Sequence, residues 1–124
     1  MAAPNIVGVT TILGVTTSLT LTTSPQTIIT NAAGSGKVYK INVITASNTT
    51  GATANVTIRY TQGAAGAGTT VAIANGIDIT AKSSLVVLDK ASSIYIEEAR
   101  SLVALASANT SIDLIASYED ITNL

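Results

Sequence analysis

A chain of 124 residues with 10% charged side chains, a net charge of −1, no Cys and no His excludes several functions at once. Without Cys there are no disulfides, thiolate nucleophiles or Cys-based metal sites, and without His the commonest general base and metal ligand is missing. No basic patch exists to neutralise phosphates, so nucleic acid is not an expected partner.

The length suits one domain, which at this size buries roughly two-thirds of its unfolded surface. With no Trp and no Phe, the core has to come from Val, Ile, Leu and Ala. The 20 Thr are stiff at χ1 and favour a pleated sheet. Charge is unevenly placed: residues 1–77 hold Lys37, Lys40 and Arg59 and no acid, while residues 78–124 hold Lys82, Lys90 and Arg100 against all seven acids. A surface so poor in charge is either neutral and Ser/Thr-rich or covered by another chain.

In chain order, Met1–Thr23 reads as an uncharged extended arm or a pair of strands, with Gly8 and Gly14 as bends or bulges. It lacks the basic start of a signal peptide, and Thr and Ser interrupt it too often for a membrane span. Ser24-Pro25 ends it. From residue 24 to 124 the pattern is that of a single β-sandwich. Gln26–Thr30 is a short strand, and Asn31–Gly36 a Gly-rich turn. Lys37–Ser47 is a strong strand with Tyr39, Ile41, Val43 and Thr45 on one face and Lys40 and Asn42 on the other. Thr53–Thr61 alternates cleanly, with Ala54, Val56, Ile58 and Tyr60 inward and Asn55, Thr57 and Arg59 outward. The two runs read as a hairpin closed by Asn48–Gly51.

Gln62–Gly68 is low in complexity and reads as a mobile loop. Thr70–Ala74, Asn75-Gly76 and Ile77–Thr80 read as strand, hairpin turn and return strand. Ser84–Leu88 is an apolar run of buried-strand length, and Asp89–Ser92 turns the chain. Glu97–Ala108 contains helix formers, with Leu102, Leu105 and Ala106 at helical spacing, but strand is preferred after the β-favouring Ile94-Tyr95-Ile96. That strand would also give Ser111–Glu119 a hairpin partner. In this last run Ile112, Leu114, Ala116 and Tyr118 point one way and Asp113, Ser117 and Glu119 the other. Ile115 interrupts the polar face, which suggests partial cover there too. Eight to ten short strands at regular spacing predict an all-β fold, an antiparallel sandwich resembling a jelly roll.

Candidate chemistry is sparse. Asn31–Val38 lacks the Gly and the Ser/Thr of a phosphate-binding loop and is followed by a strand instead of a helix. Gly63, Gly66 and Gly68 have the wrong spacing for a dinucleotide site. Glu97-Glu98 and Glu119-Asp120 are the acid clusters. Neighbours in a strand face opposite ways, so neither pair converges within itself. The two clusters together could make a weak Ca²⁺ site, but a solvated strand edge is preferred. Tyr39, Tyr60, Tyr95 and Tyr118 read as core-rim residues and not as a sugar platform. Asn48, Asn55 and Asn109 open formal glycosylation sequences, which so Thr-rich a chain produces by chance. No catalytic, cofactor-binding or metal-binding residues are assigned, and an enzyme is not expected.

Two segments carry a family resemblance. Asn31–Asn48 (NAAGSGKVYKINVITASN) and Ser93–Ile121 (SIYIEEARSLVALASANTSIDLIASYEDI), with Val86–Lys90 before the second, resemble a family of small bacteriophage virion proteins of tailed phages with marine and cyanobacterial hosts. The resemblance covers about half of the chain. It departs at Ala99-Arg100, where the family usually has Gly-Asp; if that position has φ > 0, Ala99 is strained there. The resemblance implies a structural role without catalytic residues: a capsid decoration or cement protein, or a neck, tail or fibre component. The expectation is a homotrimer, made in the host cytoplasm and placed on the virion's capsid surface, bound to the major capsid protein, with no cofactor, nucleic acid or membrane. A carbohydrate-binding sandwich is a further alternative, and a hydrolase ranks last. Partner contact is expected from the uncharged arm, through Ile6, Val7, Val9, Ile12 and Leu13, because a free arm of this kind is sticky and strand-prone.

Overall fold

The computed structural model describes Gly8 and residues 11–122. Among these, the strands are β1 (Thr11–Thr20), β2 (Gln26–Asn31), β3 (Lys37–Asn48), β4 (Ala54–Thr61), β5 (Thr70–Ile79), β6 (Ser84–Leu88), β7 (Ile94–Ile96), β8 (Arg100–Ala106) and β9 (Ile112–Thr122). One sheet runs β1-β9-β3-β6, with the short β7 also on β3; the other runs β2-β8-β4-β5. Every pairing is antiparallel. The chain is an all-β sandwich, and its strand order is that of a jelly roll. The inner faces supply the core: Leu21, Ile29, Ile41, Ile44, Val56, Ile58, Ile96, Leu102, Ile112 and Leu114.

Several local expectations change once the sheets are in place. β3 and β4 do not form a hairpin; they lie in opposite sheets, and the Asn48–Gly51 turn carries the chain across the sandwich. β8 is a strand as expected, but β9 pairs with β1 and β3 and not with β8. Asn75-Gly76 is not a hairpin turn. β5 runs through it, and these two residues together oppose Thr57 on β4. Gly76 has φ +61° and donates its N–H to the Thr57 hydroxyl at 3.0 Å, which makes a Gly bulge within one strand. On β3 the register slips at Asn42, so Ile41 and then Ile44 and Ala46 face the core, and Val43 and Thr45 turn away from Ile41's face. Ser84–Leu88 is an edge strand and only partly covered: Leu88 is buried, Leu85 and Val87 pack partly on the core, and Val86 is exposed.

Gln62–Gly68 is pinned to the sandwich instead of hanging off it. Its 3-10 turn, Ala64–Gly66, lies on the outer face of the second sheet. The buried Ser101 hydroxyl donates to the Gly63 carbonyl at 2.7 Å and accepts the Gly66 N–H at 3.0 Å. The Thr30 hydroxyl accepts the Ala65 N–H at 2.8 Å. A Cβ on Gly66 would come within 3.1 Å of the Thr27 hydroxyl and 3.3 Å of Val103, so the loop is seated on those two side chains.

Two buried asparagines tie the sheets together near either end of β3. Asn31, at the end of β2, donates from its amide to the Lys37 carbonyl at 2.9 Å and the Ile96 carbonyl at 3.0 Å, both in the first sheet. Asn48, at the end of β3, donates to the Ala52 carbonyl at 2.7 Å and to the Ile79 carbonyl of β5 at 2.9 Å. Each side chain satisfies backbone groups that a crossing between sheets leaves without ladder partners.

Candidate functional site

Strand alternation determines where the acids go. Asp120 shares the side of Tyr118 on β9, while Glu119 faces the other way. Asp120 accepts from the Lys37 ammonium at 3.2 Å and from the Thr122 hydroxyl at 3.2 Å. Glu119 accepts from the Asn42 amide at 2.9 Å. Glu97 and Glu98 lie in the turn between β7 and β8. Among the described residues, no group of three or more acids comes together as a metal cage would require. The acid clusters are therefore parts of strand pairing and turns, with no shared focus.

Beside Asp120, Tyr39 and Tyr118 pack ring to ring on neighbouring strands, with centroids 5.2 Å apart and planes tilted by 51°. The hydrogen bond and then the charge of Asp120 hold the Lys37 ammonium above its ordinary pKa. Both phenols are also raised, first by burial; the next cause is the Asp120 carboxylate at Tyr39, and Tyr39 and then Asp120 at Tyr118. All three groups keep their protons at neutral pH. Tyr60 packs against the core as well, while Tyr95 is exposed on the outer face opposite Lys40. The four rings do not make a shared platform.

Asn48 is buried with its amide doubly bonded, which removes it as a glycosylation acceptor. Asn109 is exposed, and its carbonyl oxygen accepts the Thr23 N–H at 2.8 Å. A shallow depression of about 440 Å³ lies over Ser18–Thr20 and Asp113–Ile115, with the Asp113 carboxylate accepting the Thr20 hydroxyl at 2.8 Å. One exposed carboxylate among hydroxyls offers no nucleophile–base pair.

Of the expected contact residues, Ile6, Val7 and Val9 lie outside the described residues. Ile12 and Leu13 open β1, paired with Ile121 and Asp120, and are 54% and 55% exposed. The same exposure appears at other strands: Val71 and Ile77 on β5, Val86 on β6, Ile115 on β9 and Tyr95 on β7. Sequence reasoning missed the β5 and β6 members. The clue present was the lack of charge in SLVVL, which suits an uncovered edge as well as a buried strand. Among the described residues, no helix is long and apolar enough to cross a membrane.

No family model and no curated protein matches the chain. A solved structure does. A chain of the Bacillus endospore appendages, described as a novel family of disulfide-linked pili, superposes with a TM-score of 0.57 at 18% identity, covering 92% of this chain and 88% of that one. The likeness is one of fold, and it agrees with the sandwich described above.

Proposed function

We propose that the protein is a structural subunit of a virion: a decoration protein that binds the major capsid lattice of a tailed phage as a trimer and reinforces the head. The observation that carries the assembly role is the composition of the sheet edges. The five strands at sheet edges, β1, β2, β5, β6 and β7, hold one charged side chain between them, Asp78. Sandwiches that live as monomers blunt their edges with charge, Pro or cover, because an open edge is a template for pairing. Here the edges also carry six of the seven exposed large apolar side chains of the described residues. Edges built in this way suit a protein whose partners are other chains in fixed positions.

The resemblance of Asn31–Asn48 and Ser93–Ile121 to small phage virion proteins directs the assembly role to the virion, and we take the head ahead of neck, tail or fibre. The pilus chain of similar fold belongs to a disulfide-linked assembly. This chain has no Cys, so its contacts with other copies would be non-covalent.

Quantitative mass spectrometry of purified particles tests the proposal. The expected result is a copy number that scales with the capsid lattice, together with heads that rupture at lower temperature when the protein is missing. A handful of copies per particle would move the protein to the neck, tail or fibre. Its absence from purified particles would end the virion proposal.

A further inference from the structure

The sandwich does not close between β5 and β6, the edge strands on the side away from β1. Between them runs an open groove of about 230 Å³ lined by Ile73, Ala74, Ile77, Leu85, Val86 and Val87. All of these side chains are apolar. Register shows why the groove is open. Ile77 stands opposite Val56 and Val71 opposite Tyr60, both positions that face the core. Val56 is fully buried, yet Ile77 is 42% and Val71 52% exposed; on the far lip of the groove Val86, paired with the outward-facing Thr45, is 56% exposed. The bulges on β5 accompany this loss of cover, and the core runs out to solvent along the edge.

A cover for this groove has to be apolar, uncharged and able to extend as a strand. Residues 1–10 fit, with Ile6, Val7 and Val9 and no charged side chain. Their own groove is beyond the reach of Ile6, Val7 and Val9. Thr11 stands level with Lys37 across Thr122, whereas β6 pairs with Ile44–Ser47 in the other half of β3. About seven residues of strand rise and three interstrand spacings separate the two points, roughly 27 Å. Ile6 stands five positions before Thr11, and five extended residues span at most about 18 Å.

We infer that the N-terminal segment of one copy lies as an added strand in the β5/β6 groove of a second copy. The contact presupposes that the protein works as an assembly subunit, and it names the surfaces that join. Main-chain hydrogen bonds to the free strand edge hold the segment, and alternate side chains fill the groove. Val7 and Val9, two apart, enter together. With no charged side chain on the segment or in the groove lining, the contact changes little with salt.

Disulfide trapping on full-length chains tests this, and the absence of native Cys keeps the background low. One population carries Val7→Cys and the other Val86→Cys; they are mixed, oxidised and resolved without reductant. The mixed disulfide is expected at least tenfold above that formed when Ser18→Cys, exposed on β1, replaces Val86→Cys. Val86→Asp is expected to weaken self-association at least tenfold at low and high salt alike, with an unchanged circular dichroism spectrum. Equal trapping at Ser18 and Val86 would overturn the contact. So would wild-type self-association of a folded Val86→Asp chain, or an intramolecular disulfide in a dilute Val7→Cys/Val86→Cys double variant that forms as fast as the mixed one. The virion role fails separately, by absence from particles: trapping without particle incorporation upholds this contact alone, and incorporation without trapping sinks it alone.

Discussion

Ala99 sits at φ +58° in the turn into β8, with its N–H bonded to the Asn31 carbonyl at 2.9 Å. A left-handed non-Gly residue costs roughly 1–2 kcal/mol, and Gly gives back about 0.5–1 kcal/mol of that in chain entropy. Ala99→Gly is therefore expected to stabilise the fold by about 0.5–1 kcal/mol, read as a rise in melting temperature. A lower melting temperature would mean that the Ala methyl makes a contact worth more than the strain. On β9 the two faces separate cleanly. Leu114 is fully buried and Asp113 is exposed, bonded to the Thr20 hydroxyl. Leu114→Asp should lose about 2–5 kcal/mol from the missing core side chain, and more from a buried carboxylate, enough to unfold the domain. Asp113→Ala should stay within about 0.5 kcal/mol of the parent. Equal melting temperatures for the two variants would show the face assignment to be wrong.

At the scale of elements, the loop over the second sheet takes two of its bonds from one hydroxyl. Ser101→Ala removes both the bond to the Gly63 carbonyl and the bond from the Gly66 N–H. A cost of about 1–3 kcal/mol is expected, concentrated in the loop: amide exchange at Ala65 and Gly66 should accelerate while β4 and β8 stay protected. Uniform acceleration across the sheet would place Ser101's role in the core instead. The β3–β9 pairing carries the pH dependence. Lys37, Tyr39 and Tyr118 all hold their protons more tightly in the fold than at their ordinary values of 10.5, 10.0 and 10.0. Above about pH 10 the unfolded chain therefore gives up protons that the folded chain retains, and stability falls as pH rises. Melting temperature should be flat from neutral pH to about pH 9 and drop by pH 11. Replacing both tyrosines by Phe should flatten part of that drop, and an unchanged alkaline slope would remove the phenols from the account.

For the whole molecule, nearly uncharged sheet edges predict association. Light scattering on a size-exclusion peak should report a trimer, and a monodisperse 12.5 kDa species at micromolar concentration would contradict it. Closed symmetry is the physical reason for expecting a defined oligomer: it hides edges that would otherwise pair without limit.

The sequence alone determined the all-β class, the alternation of β4 and β9, and the lack of His and Cys chemistry, because each follows from residue type or from period-two spacing. Strain at Ala99 was only a condition raised by the family resemblance, and the structure supplied the positive φ. Only the tertiary structure decided which strands pair. Alternation says that a residue faces one side of a sheet, but not which sheet, so β3 and β4 looked like a hairpin although the chain crosses between layers. A bulge resets the phase without a composition of its own, as at Asn42, where Val43 left the face of Ile41. Asn75-Gly76 supplies φ > 0 equally well to a turn or to a bulge, and pairing to β4 on both sides of it selected the bulge. An apolar run such as SLVVL reads the same at the centre of a sheet or at its edge. Its exposure is set by the strand that does not lie beside it, and no local pattern records that.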